Sequence, residues 1–437
     1  MTRNWTNWGR TQRSAPSRVE RPADVGELQR VVAAAAAART PVKVVGSGHS
    51  FSGVATPVDR IGVQLDLGAL SGLISVDRDR RTATFPAATP LHRVSAALAA
   101  EGLALDNLGD IDVQTLAGAT ATGTHGTGLG HPGLAAMVAA LTLVTADGER
   151  IRVGEDDHPE LLPLLALGLG AFGVVDTITL RCVPRFLLRA TETVEPFAGA
   201  VGSALARAET ADHLEFLWFP HTDDVIVKTL ERRPADEPVD APAPLARWSN
   251  DIVMQNGALA LACGLATLRP AWTARINTTA TALHSTREYT DRSDRVFASP
   301  RLVRFREMEY AVPAERVTEA VEAVRRVIEE NDWRISFPVE VRFAAADGLW
   351  LSTASGRRTA YIAVHRHLRD EHEDYFAAVE ERLVALGGRP HWGKLHGRSA
   401  AQLRASYPRL PDALAVRDRL DPERVFGNPE LTRILGD

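Results

Sequence analysis

Apolar and polar positions along this chain recur in two periods, and the change of period marks out short strands and amphipathic helices. After Arg21, Pro22, Ala23 and Asp24, an apolar stripe of Val25, Leu28, Val31 and Val32 predicts a helix to about Arg39. The β-branched run Val42, Val44 and Val45 then reads as a buried strand that breaks into a loop at Gly46 and Gly48. Gly62 to Leu67 alternates as a further strand, with Val63, Leu65 and Leu67 on one face. Thr89 and Pro90 have the form of an N-cap and first helical position for a helix through Leu98, and Gly102 would stop it. Leu141, Leu143 and Thr145 begin a strand that turns at Asp147 and Gly148 and returns through Ile151 and Val153. The glycine-rich passage Gly168, Gly170, Ala171, Phe172, Gly173, Val174, Val175 leads into a strand from Thr177 to Leu180, and Pro184 ends a first α+β lobe.

From about Arg185 glycines thin out and aromatics and charges increase. Leu214, Phe216, Trp218 and Phe219 form a strand-like run, and Pro234, Pro238, Pro242 and Pro244 make residues 231–247 a surface excursion. Val317, Val321, Val324 and Ile328 have helical spacing behind Pro313, and a second helix spans about Glu371 to Leu386, ended by Gly387. On a strand through Phe337 to Phe343, Val339, Val341 and Phe343 would face the core while Glu340 and Arg342 share the other side. This alternation predicts a sheet covered by helices and serving as a lid over the first lobe. Trp5 and Trp8 belong to an N-terminal arm that can cover the same lobe.

Composition narrows the class. The 437 residues suit two domains, and 45% hydrophobic with 24% charged residues is ordinary for a globular protein. A net charge of −5 gives no electrostatic reason to expect nucleic acid or an anionic membrane as partner. The apolar runs Val31–Ala38 and Gly257–Leu268 fall short of the roughly 20 residues of a membrane span. With a polar N-terminus, the expectation is a cytoplasmic chain without membrane insertion. Cys182 and Cys263 have neither disulfide-framework nor metal-ligand spacing. His365 and His367 share a strand face near His372, but no cysteine or placed carboxylate completes a ligand set, so no metal is expected. Of the 50 basic residues only Lys43, Lys228 and Lys394 are lysines, which directs attention to them, since burial tunes a lysine's pKa.

Three stretches carry candidate chemistry. In Val45, Gly46, Ser47, Gly48, His49, Ser50, Phe51, the glycines let backbone N–H groups form an anion-binding nest, to which the two serines add hydroxyls. As an isolated motif it better fits a tight turn whose histidine bonds a neighbouring carbonyl. Between Asn107 and Gly128, small residues including Gly109, Asp110, Thr115, Gly118, Ala121, Thr122, Gly123, Thr124 and His125 can pack closely on a planar or phosphorylated ligand. The third is His391, Trp392, Gly393, Lys394, Leu395, His396. Glu340 and Arg342 could bind hydroxyls and stabilise negative charge, or be an ordinary ion pair.

Together these motifs resemble the flavin-binding elements of the vanillyl-alcohol-oxidase type flavoproteins, and the histidine, tryptophan, glycine, lysine run narrows the resemblance to the aldonolactone and alditol oxidases. The resemblance implies an α+β fold, with a two-lobed FAD-binding domain over residues 1–184, an α/β substrate-binding cap over 185–387, and a C-terminal segment 388–437 returning to the cofactor side. It implies FAD attached through His49 to the 8α-methyl group, with Gly173, Val174 and Val175 beside the adenine half. Lys394 would sit at flavin and substrate, and Asp110, Glu340, Arg342 and His365 would line the substrate pocket. The implied activity is oxidation of a sugar lactone or polyol by hydride transfer to the flavin, with Glu340 helping to remove the hydroxyl proton. Reoxidation would be by molecular oxygen, giving peroxide, or by a dye, quinone or cytochrome; Gly109 is expected to leave oxygen a space at the flavin face. Asp110, where alditol oxidases tend to have serine, and His396 after Leu395 favour a lactone. The chain is expected to act as a monomer or small homo-oligomer.

Overall fold

The computed structural model describes residues 4–243 and 256–436; Pro244 of the proline-rich excursion lies outside them. Asp24 caps the helix Val25–Ala37 by accepting from the Glu27 N–H, and Leu28, Val32 and Ala35 bury its apolar stripe. The helix shares a core cluster with Val42, Val63 and Leu65. Those residues belong to a three-stranded parallel sheet in which Val63–Leu65 lies between Arg18–Glu20 and Val42–Val44. A neighbouring five-stranded antiparallel sheet runs in the order Arg150–Gly154, Val138–Val144, Val174–Arg181, Thr82–Pro86, Ser75–Asp77. The turn between its first two strands holds Gly148 at φ +83°, the left-handed conformation that favours glycine.

Several boundaries differ from the sequence reading, and two of them have a clear cause. The helix after Thr89 begins at Leu91, with Pro90 itself as the extended N-cap residue. Pro90 is drawn into a bridge with Thr115, and the Thr89 hydroxyl donates to the Pro86 carbonyl instead of capping the helix. The strand expected from Leu141 starts at Val138, directly after a 3-10 turn over Leu134–Met137.

The second half of the chain supplies most of an eight-stranded antiparallel sheet. Its order is Arg287–Arg292, Leu187–Pro196, Asp224–Arg233, His213–Trp218, Val339–Ala344, Thr359–His367, Phe305–Pro313, Arg389–Pro390. The period-two pattern gives it two unlike faces. On one, Phe216, Val339, Val341, Phe343, Ile362 and Val364 pack under the helices Val317–Glu330 and Glu373–Ala385, which contribute Val321, Val324, Ile328, Phe376, Val379 and Leu383. Each such side chain stabilises the fold by about 1.5–3 kcal/mol relative to exposure. The alternate positions of the central strands carry Glu215, Lys228, Glu307, Glu309, Glu340, Arg342 and His365. The sheet under helices thus has the polar face expected from Glu340 and Arg342, extended by Glu215, Lys228, Glu307 and Glu309 into a charged floor.

After this sheet the chain returns to the first lobe. Leu403, Tyr407, Leu410, Leu431 and Ile434 join the core that holds Phe85, Leu91 and Leu98. Asn428 caps the last helix and donates to the carbonyls of Gly53 and Thr56, tying the C-terminal segment to the stretch after the glycine loop. Among the described residues no helix is long and apolar enough to cross a membrane.

Candidate active site

The strand Val42–Val44 delivers the glycine loop to a cavity of about 440 Å³. Val45 to Ser50 line it, together with Thr115, Gly118, Ala121 and Thr122 from the second small-residue stretch and Gly173, Val174 and Val175 from the third. On either side of the loop the backbone is anchored: Val45 N–H donates to Leu65 at 3.0 Å and Phe51 N–H to Gly393 at 2.7 Å. Between them, among the described residues, the N–H groups of Gly46, Ser47, Gly48, His49 and Ser50 donate to no protein acceptor. A run of free donors along a concave wall is a site for an anion with several oxygens. Gly46 makes the close approach possible, since a Cβ there would lie 2.5 Å from Thr115 Oγ1.

His49 is not a turn histidine bonded to a neighbouring carbonyl; no hydrogen bond reaches either ring nitrogen among the described residues. Its ring is offset-stacked on Trp8, centroids 5.3 Å apart and planes 21° apart. Burial, assisted by the Lys394 charge, pushes its pKa down to about 4, so the imidazole is neutral. Phe51 points into an aromatic cluster with Trp8 and Phe305. Lys394 Nζ sits 5.4 Å over the Phe51 ring and forms an ion pair with Glu307 at 2.5 Å.

Next to Lys394 lies the charged face of the sheet. Arg342 is its hub: Nη2 pairs with Glu340, Nη1 lies 3.3 Å from Asp110, and Nε lies 3.2 Å from Glu215 without the alignment of a hydrogen bond. Asp110 is shared with Arg301 at 2.5 Å, and Glu215 with Lys228 at 3.1 Å. Among the described residues Glu340 thus has Arg342 as its one ion-pair partner, while the other two carboxylates each have a second cation. Burial raises the Glu340 pKa, Arg342 opposes, and the charges of Asp110 and Glu215 add to the rise. Burial also acts against Asp110, but Arg342 and Arg301 outweigh it and hold that carboxyl well below the usual range. For Lys394, burial is outweighed by Glu307 and Glu309, and its pKa is raised. His365 contacts Glu307 at 3.6 Å and the Pro338 carbonyl at 2.9 Å. The fold therefore brings Asp110, Glu340, Arg342, His365 and Lys394 into one region beside the loop. The proximity comes from sheet register, in which Glu340 and Glu309 both lie opposite Ala363 and Glu307 lies opposite His365.

Gly123, Thr124 and His125 lie behind the cavity wall. Gly123 ends the helix Leu116–Thr122 in the left-handed conformation, and Thr124 accepts from Gln114 at 3.3 Å. His125 turns toward Glu309 at 2.7 Å and stacks on Tyr361. Gly109 differs from expectation: a Cβ there would lie 3.0 Å from the His125 carbonyl oxygen, so the direction a side chain would take is already filled by protein.

His125, Glu309 and His391 form the one close cluster of possible metal ligands among the described residues. The hydrogen bonds leave no lone pair on His391 for a metal: Nδ1 accepts from Gly393 N–H, and Nε2 faces the Gly123 carbonyl and must donate. His365, His367 and His372 do not converge, since His367 contacts Thr267 and His372 contacts Arg306. Glu307, Glu309, Arg301 and Glu215 were not singled out from the sequence. The alternation of Glu307 and Glu309 with Met308, Tyr310 and Val312 was the available signal for the first two; Arg301 lies in a loop and had none.

A cavity lined by N–H groups without a protein acceptor among the described residues, beside a charged sheet, fits an anionic cofactor and a hydroxylated substrate, and together with the family matches it marks an FAD-dependent oxidoreductase of the vanillyl-alcohol-oxidase fold. Solved cholesterol oxidase structures share that fold. One from Brevibacterium sterolicum superposes with a TM-score of 0.83 at 17% identity, covering 99% of this chain and 96% of the other. A solvent-stable cholesterol oxidase gives 0.81 at 20%, covering 99% and 97%. Residues 16–154 match the FAD binding domain model and residues 178–434 the D-arabinono-1,4-lactone oxidase model. The chain belongs to the D-arabinono-1,4-lactone oxidase family. It is 40% identical to L-gulono-1,4-lactone dehydrogenase of Mycobacterium tuberculosis over the full length of both chains. It is 31% identical to L-gulonolactone oxidase of Bos taurus, covering 98% of this chain and 97% of that one, and 32% identical to alditol oxidase of a Streptomyces species, covering 98% of both.

Proposed function

We propose that the protein oxidises a hydroxyl of a sugar-1,4-lactone, with Glu340 and Arg342 as its catalytic pair and FAD bound through the Gly46–Ser50 loop. The observation that carries this reading is the isolation of Glu340. Of the three carboxylates around Arg342 it alone, among the described residues, has no second cation within ion-pair distance, and its raised pKa suits a group that accepts a proton. FAD, when bound, supplies the ring that accepts the hydride. The residues do the rest: Glu340 takes the hydroxyl proton or orients that hydroxyl, while Arg342 and Lys394 offset negative charge developing nearby. Asp110 and His365 contribute polar atoms for the remaining sugar oxygens. His49, neutral and with free nitrogens, is the residue we assign as covalent anchor, and the unbonded loop amides fit the diphosphate.

This assigns residues 1–184 and 388–437 to the cofactor domain and 185–387 to the cap, with Arg389–Pro390 still paired into the cap sheet as the chain leaves it. Free, buried Cys182 and Cys263 suit the reducing cytoplasm. Molecular oxygen is taken as acceptor, with peroxide as product. The similarity to a relative named L-gulono-1,4-lactone dehydrogenase favours a second reading, in which the same substrate oxidation serves a dye, quinone or cytochrome. The test is to reduce the protein with a lactone under anaerobic conditions and then admit air in a stopped-flow instrument. Rapid reoxidation with one peroxide per flavin supports an oxidase, whereas slow reoxidation accelerated by cytochrome or quinone supports a dehydrogenase. Failure of every lactone with turnover of open-chain polyols would replace the substrate assignment.

A further inference from the structure

We propose that the N-terminal arm is a positioning device for His49, acting through Trp8; this rests on the covalent attachment proposed above. The arm does more than cover the lobe. Trp8 N–H donates to the Gly48 carbonyl at 2.8 Å, the Asn7 side chain to the Ser50 carbonyl at 2.8 Å, and the Thr11 hydroxyl to the Phe51 carbonyl at 2.6 Å. These three bonds grip the backbone on both sides of His49. The Trp8 ring stacks on the imidazole and is itself fixed by edge contacts with Phe51 and Phe305, at 6.1 and 5.2 Å between centroids. Gly9 lets the arm descend this far, because a Cβ there would strike Phe51 at 2.6 Å.

Stacking covers one face of the imidazole and leaves its edge, where both nitrogens lie, unencumbered. No protein hydrogen bond orients those nitrogens among the described residues, so the stack and the bracketing backbone set the ring's direction. An imidazole free to rotate would spend little time in an attacking geometry. Attachment breaks one imidazole N–H and one C–H of the flavin methyl group and forms one N–C bond. The two hydrogens with their electrons pass to the isoalloxazine and then to molecular oxygen, which leaves as hydrogen peroxide. Trp8 takes no part in these bonds.

The experiment compares purified wild type, Trp8→Ala, Trp8→Phe and His49→Ala for total flavin per chain and for the fraction that stays with acid-precipitated protein. His49→Ala sets the zero. Trp8→Ala is expected to cut the attached fraction at least about fivefold while total flavin stays within about twofold, and Trp8→Phe to keep more than about half the wild-type fraction. Thr11→Val, which removes one bracketing bond and the bond the hydroxyl accepts from Asn7 but leaves the aromatic stack, gives an intermediate loss and a second test if Trp8→Ala does not fold. Attachment in Trp8→Ala equal to wild type overturns the proposal, as does parallel loss of attached and total flavin. Release of all flavin from wild type overturns the attachment reading itself, an outcome visible before any variant is compared.

Discussion

Gly46→Ala tests the cofactor loop at its tightest point. The added Cβ would lie 2.5 Å from Thr115 Oγ1 and 3.2 Å from its Cγ2, closer than the 3.4 Å at which ordinary contact begins. Thr115 is not free to move aside. Its hydroxyl caps the helix Leu116–Thr122 by accepting from Gly118 N–H at 3.3 Å, and its backbone bridges Pro90. Overpacking of this kind costs about 1–3 kcal/mol. Since about 1.4 kcal/mol is tenfold in affinity, FAD binding should weaken by about 5- to 150-fold if the loop yields to relieve the clash. The affinity is read from quenching of tryptophan fluorescence as FAD is added to cofactor-depleted protein, in a His49→Ala background so that attachment cannot mask the equilibrium. Gly46 lies outside the left-handed region, so the defect is steric, and Thr115→Ala should relieve it. The double variant should recover most of the affinity and retain a stability deficit of about 1 kcal/mol from the lost cap. Unchanged binding in Gly46→Ala, or no recovery in the double variant, would refute this account of the loop.

Glu340→Gln should lower kcat/KM by about 10²- to 10⁴-fold without lowering the melting temperature at alkaline pH, where the wild-type carboxylate bears the cost of buried charge. Because the Glu340 pKa is raised in the folded protein and its basic form is the active one, the wild-type rate should climb with pH above the usual carboxylate range. Asp110→Ser removes one of the charges that raise Glu340, so the rising limb of the pH–rate profile should move to lower pH; an unmoved limb would separate Asp110 from Glu340. Lys43 donates to the carbonyls of Gly170 and Phe426, and burial, assisted by Arg417, lowers its pKa from 10.5 to about 7. Between these values the unfolded chain binds the extra proton, so wild-type stability gains a component that rises from pH 7 toward 10.5. Lys43→Met should lose that slope in urea titrations and be destabilised by about 1–3 kcal/mol for each orphaned carbonyl.

The strands and helices whose apolar period is unbroken were legible in the sequence. The helix from Val25, the strand leading to Gly46, the Asp147–Gly148 turn and the helix from Val317 all have an apolar side and a defined stop. So was the juxtaposition of Glu340 and Arg342, which period two alone puts on one face. What periodicity does not carry is pairing across the sheet. Phe305–Pro313 brings Glu307 to Lys394 and His365, and although Glu307 and Glu309 alternate with Met308 and Tyr310 along it, that alternation does not say which residues the strand will meet. Arg301 reaches Asp110 across 191 positions, a contact set by tertiary structure. Pro90 misled because its bridge to Thr115 overrides the local preference for a first helical position. Gly109 misled because an absent side chain says nothing about what fills its space.

The central claim is that the amide-lined cavity holds FAD within reach of a hydroxyl governed by Glu340. It is tested most directly by anaerobic addition of L-gulono-1,4-lactone to the purified protein while the visible flavin band is followed. The expected result is a yellow protein bleached by the lactone, alongside a Glu340→Gln protein that is equally yellow and bleaches at least about 100-fold more slowly. A colourless protein that takes up no added FAD, or bleaching that proceeds equally fast without Glu340, would contradict it.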